Sequence, residues 1–132
     1  MRALLDTHVL LRWLEGTGGL SAAQRRVIRS GSPDEPLLVS DITLWEVATL
    51  NELGRISLSL PLRDWLEQAT APPLVQRCGI TPAVAAEVAG LGTRLHRDPA
   101  DRIIVATALV HGVTLLTSDQ RIISAKIVPT IE

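Results

Sequence analysis

The chain has 132 residues, 46% of them hydrophobic, which is enough for one domain with its own core. Its net charge of −1 excludes a protein that binds polyanions through bulk positive charge. Phe and Tyr are absent, so aliphatic residues must build the core around three Trp, and the single cysteine, Cys78, excludes an intramolecular disulfide.

Short apolar runs alternate with segments of helical periodicity along the whole chain. Gly or Pro follows most of the helical segments, and Ser, Thr or Asp precedes them, as helix ends require. In chain order the predicted elements are strand Arg2–Leu5, a helix through Val9–Leu14, helix Ala22–Ser30, strand Leu37–Ser40, helices Thr43–Leu53 and Leu62–Thr70, strand Leu74–Cys78, helices Ala83–Gly90 and Pro99–His111, strand Val113–Leu116, a short helix after Asp119 and an edge strand Lys126–Val128.

This alternation predicts an α/β fold in which a parallel sheet is covered by helices on both faces. We expect a three-layer α/β/α sandwich with a central parallel sheet of four to five strands, formed by residues 1–132 as a single domain. No signal peptide or membrane span fits the sequence, so a cytoplasmic protein is expected.

Four acidic residues stand where a strand gives way to a helix or where a helix begins: Asp6, Glu46, Asp101 and Asp119. In a parallel sheet the carboxyl ends of the strands meet at one edge, where ligands bind in open α/β folds. Burying several carboxylates together without compensation is unfavourable, and a divalent cation relieves their repulsion. The pattern therefore predicts a Mg²⁺ or Mn²⁺ site that cleaves phosphodiesters by activating water.

Each acid also has a structural interpretation. Asp6 and Asp119 could act only as helix caps, and Glu46 could lie on a solvated helix face. Asp98, followed by Pro99, has the position of an N-cap, which leaves Asp101 in the first helical turn, where the helix dipole stabilises an acid. The co-occurrence of acids on separate elements favours the metal site.

Other polar residues are weaker candidates. The sequence Gly16–Gly19 lacks the Lys-Ser/Thr of a phosphate loop. The three histidines lack metal-binding spacing, so most of them are expected at the surface or at helix ends. Arg97 and Arg102, on either side of Asp101, are candidates for RNA contact. Residues expected to support the acids, as hydrogen-bond partners or caps, are Thr7, Ser40, Asp98, Thr117 and Ser118.

Three segments resemble the PIN-domain family, and in particular its VapC-type toxin ribonucleases. They read LLDTHVLLRWL, VSDITLWEVATLNELGRISL and RDPADRIIVATALVHGVTLLTSD, in the order and spacing of that family. The resemblance implies a Mg²⁺- or Mn²⁺-dependent endoribonuclease whose acids map onto Asp6, Glu46, Asp101 and Asp119. Asp101 is preferred to Asp98 because it stands directly before RIIVATA. The resemblance also implies a homodimer inhibited by a small VapB-like antitoxin.

Two other functional classes remain open. A phosphoryl-transfer domain, such as a receiver or a haloacid-dehalogenase-like phosphatase, also has acids at strand ends. Against it, the first strand lacks a DxD motif and the only lysine is Lys126, far from a phosphate-contact position. A non-catalytic PIN-like interaction module is the other alternative, and the intact acid set argues against it.

Overall fold

Five short strands form an all-parallel sheet in the computed structural model, which describes residues 1–132. The spatial order is β3-β2-β1-β4-β5, so β1 lies at the centre with β2 and β4 on either side. In this register Leu5 pairs with Val39 of β2 and with Leu116 of β4. The strands are β1 (Ala3–Leu5), β2 (Leu37–Ser40), β3 (Val75–Cys78), β4 (Thr114–Leu116) and β5 (Thr130–Ile131).

Seven α-helices connect the strands and cover the sheet on both faces. A turn of 3-10 helix at Gly92–Arg94 continues the fifth of them. The helices are α1 (Thr7–Glu15), α2 (Ala22–Arg29), α3 (Asp41–Glu52), α4 (Leu62–Ala69), α5 (Pro82–Leu91), α6 (Pro99–His111) and α7 (Gln120–Ala125).

The central strand supplies both halves of the core. Successive side chains of a strand point to opposite faces of the sheet. Accordingly, Ala3 and Leu5 pack with α1–α4 in one core, while Leu4 packs with α5–α7 in the other. Every residue of β1 is therefore fully buried, and the three-layer α/β/α prediction is confirmed.

The core is aliphatic, as the absence of Phe and Tyr requires. Trp65 of α4 is the one fully buried aromatic side chain, and its indole Nε1 donates to Glu15 Oε2 at 3.2 Å. Trp13 is half-buried against the same core, whereas Trp45 of α3 is 58% exposed. Of the three tryptophans, Trp65 and Trp13 therefore pack against the core, and Trp45 does not.

Two predicted boundaries are corrected. The last strand is Thr130–Ile131, not Lys126–Val128, because Lys126 ends α7 in a left-handed conformation with φ 53° and the chain is still turning there. The third helix begins at Asp41 because the Ser40 hydroxyl accepts a hydrogen bond from the Ile42 amide at 3.2 Å. The other helices and strands agree with the predicted elements to within a few residues.

The carboxyl ends of the three central strands lie side by side at one edge. The Asp6 amide, just after β1, donates to the Leu116 carbonyl at the end of β4 at 3.0 Å. Ser40 ends β2 beside them, and the Thr117 amide is bonded to Ile131 of β5. This edge carries the residues that follow. No helix of the chain is long and apolar enough to cross a membrane.

Candidate active site

Helix beginnings fix the predicted acids in place. The Asp6 side chain accepts from the Val9 amide at 2.8 Å and caps α1. Asp119 caps α7 by accepting from the Arg121 amide at 2.9 Å. Asp98 caps α6 by accepting from the Asp101 amide at 3.0 Å, as predicted. Asp101 lies in the first turn of α6, so its own carboxylate is left to face the site.

Three of the site residues form a tight group. His96, Asp101 and Asp119 each present one potential ligand atom, and these atoms all lie within 4.8 Å of one another. The His96 Nε2 atom lies 2.7 Å from Asp101 Oδ2. Two carboxylates and an imidazole are suitable ligands for a divalent metal ion, and carboxylate oxygens in particular suit Mg²⁺ and Mn²⁺. The donor set therefore fits a metal centre.

Asp6 and Glu46 lie outside this tight group but adjoin it. Burial raises the pKa of Asp6, although hydrogen bonds from Thr117 and from the Val9 amide oppose the rise. Burial also raises the pKa of Glu46, and the nearby charge of Asp101 adds to the increase, while a hydrogen bond from Thr7 opposes it. Glu46 is thus electrostatically coupled to the tight group.

The pKa values of Asp101 and Asp119 are shifted in opposite directions. Burial raises the pKa of Asp101, and the charges of Asp98 and Asp119 raise it further against the opposing hydrogen bond from His96. Burial also disfavours ionised Asp119, but hydrogen bonds from the Arg121 side chain and amide outweigh it, so the pKa of Asp119 is lowered. Crowded carboxylates of this kind favour a bound cation.

Basic side chains of the chain itself already contact these acids. Arg121 donates from Nε to Asp119 Oδ1 at 3.3 Å and from Nη2 to Asp119 Oδ2 at 3.0 Å. Its Nη2 is also 3.6 Å from Asp101 Oδ2. The Arg121 guanidinium thus partly neutralises the charge of both carboxylates.

The sequence has the pattern of one known family along nearly its whole length. The model of the PIN domain matches residues 3–127. The chain belongs to the PIN domain family. The resemblance stated from the motifs is thereby confirmed.

Relatives narrow the assignment within that family. This PIN domain is 40% identical to Ribonuclease VapC22 of Mycobacterium tuberculosis over 119 residues. The match covers 90% of this chain and 88% of that protein. The motif resemblance to the VapC group is therefore confirmed as well.

Solved structures match the fold. VapBC2 from Rickettsia felis, bound to a DNA fragment from the promoter, matches with a TM-score of 0.73 at 12% identity, over 99% of this chain and 98% of that one. VapBC-1 from nontypeable Haemophilus influenzae matches with 0.70 at 18% identity, over 100% and 98%. FitAcB from Neisseria gonorrhoeae matches with 0.69 at 23% identity, over 98% and 96%. At these identities the likeness shows that the PIN fold is shared.

The supporting residues divide into two kinds in this PIN domain. Thr7 and Thr117 are buried, and they lower the pKa of Glu46 and Asp6 respectively against the effect of burial. The Thr117 hydroxyl also accepts a hydrogen bond from the Asp119 amide at 3.1 Å. Ser40 instead caps α3, and Ser118 Oγ lies 3.4 Å from Gln24 Nε2, the amide of a residue in α2. Neither serine has a hydrogen bond to one of the four acids.

Thr43 is a residue that the sequence analysis missed. It is fully buried in α3, and its Oγ1 lies 3.0 Å from Thr7 Oγ1. Its place one turn before Glu46 is the only sequence signal for it. The contact with Thr43 therefore fixes the hydroxyl of Thr7, the residue that lowers the pKa of Glu46.

Arg102 is corrected as a candidate for RNA contact. It is 7% exposed, and its guanidinium donates to the carbonyls of Leu95 at 2.9 Å, His96 at 3.3 Å and Val88 at 3.3 Å. These contacts use the guanidinium within the fold, so the Arg102 side chain is not available to a ligand. Arg97 is exposed and remains a candidate.

His96 is an exception to the expectation that most of the histidines lie at the surface or at helix ends. Its side chain is 19% exposed and lies against Asp101, and its Nδ1 is buried without a partner. Arg102 binds the His96 carbonyl and so fixes this segment. No spacing rule identifies such a histidine, because only the loop into α6 brings it to the acid.

Proposed function

We propose that this protein is a metal-dependent endoribonuclease that acts as the toxin of a toxin–antitoxin pair. The observation that carries the proposal is the convergence of Asp101, Asp119 and His96 within 4.8 Å, in a chain 40% identical to a ribonuclease of the VapC group. Hydrolysis adds water across one P–O bond of the RNA, which leaves a phosphate on one end and a hydroxyl on the other.

The four acids hold the ion in this proposal. Asp101 and Asp119 are its principal ligands, with Asp6 and Glu46 completing the negative site. Mg²⁺ or Mn²⁺ bound there supplies positive charge for the phosphodiester and lowers the pKa of a water molecule. His96, which contacts Asp101, is a further candidate ligand from the same group.

The protein's own groups orient these acids. The Val9 amide holds the Asp6 side chain, while Thr117 and Thr7 favour the ionised forms of Asp6 and Glu46 respectively. Such partners fix the direction of a ligand, and removing them from metal sites costs about 10–100-fold in affinity or activity. Arg97, exposed beside the site, is a candidate contact for the RNA backbone.

The partners follow from the relatives. A VapB-like antitoxin inhibits the protein, because the matching structures from Rickettsia felis and Haemophilus influenzae are named VapBC complexes. The protein forms a homodimer, and the exposed Trp45 and Leu53 of the α3 region offer apolar surface for such contacts.

The function is tested by incubating the purified protein with a mixed pool of structured RNA in Mg²⁺, in Mn²⁺ and in chelator. We expect cleavage with either metal and none in chelator. Asp6→Asn should abolish cleavage while keeping the fold, because asparagine can still cap α1 through its side-chain oxygen. The matched control is Asp64→Asn, the same change at an exposed acid in the first turn of α4.

Full cleavage by Asp6→Asn, or cleavage that continues in chelator, would overturn the proposed metal site. Hydrolysis of a small phosphomonoester with RNA left intact would instead favour the phosphatase class. Folded protein that binds no divalent metal in calorimetry and cuts no RNA would favour the interaction module.

A further inference from the structure

Arg121 is the basic residue in most extensive contact with the candidate metal site. It stands two residues after Asp119, in the first turn of α7, whose Ile122 is buried in the core. Two nitrogens of its guanidinium bind the two oxygens of Asp119, at 3.3 and 3.0 Å. The same Nη2 atom lies 3.6 Å from Asp101 Oδ2.

These contacts use the oxygens that a metal ion would need. Asp101 and Asp119 are two of the three residues whose ligand atoms lie within 4.8 Å of one another. A guanidinium that bridges both carboxylates shares their negative charge, and it repels a second cation brought to the same oxygens. Arg121 and a divalent ion therefore compete for this pair of acids.

The position of Arg121 allows it to leave. Its side chain is 62% exposed, whereas those of Asp101 and Asp119 are 16% and 24% exposed. The arginine thus reaches the acids from the solvent side on a long flexible stem, and no backbone movement is needed to release it. By contrast, Arg102 is buried and fully engaged by backbone carbonyls, so it cannot play this part.

We propose that Arg121 is a built-in, displaceable counter-ion that sets the metal affinity of the site. It holds Asp101 and Asp119 together when no ion is bound and must release them for an ion to bind. The apparent affinity of the site for a divalent metal is consequently lower than that of the same acids without Arg121. This inference rests on the proposed function, since it concerns the same metal centre.

The test is a Mn²⁺ titration of the purified, chelator-treated protein, with free Mn²⁺ followed by electron paramagnetic resonance, which needs no RNA and no activity. We expect Arg121→Gln to bind Mn²⁺ about two- to fivefold more tightly than the unaltered protein, the range of a partly exposed ion pair. Arg121→Lys, which keeps the charge but loses the two-pronged contact, should lie between them.

The matched control is Arg63→Gln. Arg63 also pairs with an acid, Glu67 Oε1 at 3.1 Å, but on the exposed face of α4. We expect its Mn²⁺ affinity to equal that of the unaltered protein. A change of the same size in this control would mean that the gain comes from net charge alone and would overturn the proposal.

The two ideas fail differently. If the unaltered protein binds Mn²⁺ and Arg121→Gln binds it equally or less tightly, the counter-ion role is wrong while the proposed function stands. If neither protein binds Mn²⁺, both the metal centre and the counter-ion role are wrong. Circular dichroism and thermal unfolding of each variant show that it is folded, so that a lost signal is not mistaken for lost binding.

Discussion

The candidate site has an inner half and a rim half, and the two halves manage negative charge differently. The inner half consists of Asp6 and Glu46, and burial raises the pKa of both acids while Thr117 and Thr7 oppose the rise. The rim half, Asp101 and Asp119, is held by the basic side chains of His96 and Arg121. One cluster of acids thus has neutral hydroxyls beside one half and an imidazole and a guanidinium beside the other.

For Asp6 the difference follows from depth in the fold, whereas Glu46, Asp101 and Asp119 are all partly exposed. Asp6 is 6% exposed between the carboxyl ends of β1 and β4, where a guanidinium would need to be buried as well. Hydroxyls cost less to bury than charges, so they are the partners found there. At the rim, solvent is within reach of a long side chain, and arginine or histidine can approach. The surroundings of the inner acids are therefore fixed by the fold, whereas the rim acids can exchange a side-chain partner for another cation.

The rim half provides the largest effect that has a matched control at a neighbouring acid. Asp101→Asn should lower RNA cleavage by about 100-fold or more, because it removes a ligand whose charge couples to both Asp119 and Glu46. Initial cleavage rates at fixed Mg²⁺ measure the loss. The neighbouring Asp98→Asn is the matched control, since asparagine caps a helix about as well as aspartate. It should change the rate by only a few-fold.

The comparison of the two variants also decides whether Asp98 or Asp101 belongs to the site. An equal loss in Asp98→Asn would mean that its carboxylate binds the ion and that its cap role is secondary. An unchanged rate in Asp101→Asn would remove the rim half from the metal site altogether.

A second, smaller effect is expected from the support of the rim. Arg102→Met should lower the free energy of unfolding by about 1–3 kcal/mol, because three carbonyls lose their donor in a buried setting. The same change should also loosen the segment that carries His96. Denaturant unfolding measures the stability, and Arg97→Met is the control, with an expected change within about 0.5 kcal/mol because Arg97 is exposed.

The two arginine variants therefore distinguish a residue that stabilises the fold from a residue that contacts RNA. If Arg102→Met unfolds at the same denaturant concentration as the unaltered protein, its three carbonyl bonds contribute nothing measurable. Arg97→Met should instead weaken RNA binding at unchanged stability, and stable protein with full RNA affinity would remove Arg97 from the candidate contacts.

The sequence predicted the fold well because its signals are local. The three-residue apolar runs and the capping residues Ser21, Thr81 and Asp98 each specify an element from its own neighbourhood, and each of these caps is present. The last strand was misplaced because the left-handed Lys126 interrupts an apolar run that otherwise reads as extended. Only pairing with β4 at Leu115 and Leu116 identifies β5.

The site was predictable only in part, for a related reason. The acids after β1 and β4 could be predicted from the sequence because parallel strands bring their carboxyl ends to one edge of the sheet. His96, Arg121 and Arg102 carry no such signal, since the first two reach the acids through a loop and a helix turn, and the third is defined by the carbonyls around it. The roles of the four acids in catalysis stay predictions.

The smallest expected effect is on the pH dependence of stability, and it contrasts the two halves directly. Burial raises the pKa of Asp6 in the folded protein, so the folded state binds the proton more tightly than the unfolded state does. Its contribution is greatest below the unfolded pKa of about 3.9 and is lost as pH rises through the interval above it. The pKa of Asp119 is lowered despite burial, because Arg121 donates to it. Its contribution is present above the unfolded pKa and is lost as pH falls below it.

Removing each charge should therefore tilt the stability curve in opposite directions. The free energy of unfolding is measured from pH 3 to 7 in chelator. Asp6→Asn should remove a contribution that decreases with rising pH, so its stability relative to the unaltered protein should increase with pH. In Asp119→Asn the curve should lose part of its rise between acid and neutral pH. Parallel curves for the two variants would show that depth in the fold does not separate the two halves. A tilt confined to Asp119→Asn would mean that the hydrogen bonds from Thr117 and Val9 fully offset the burial of Asp6.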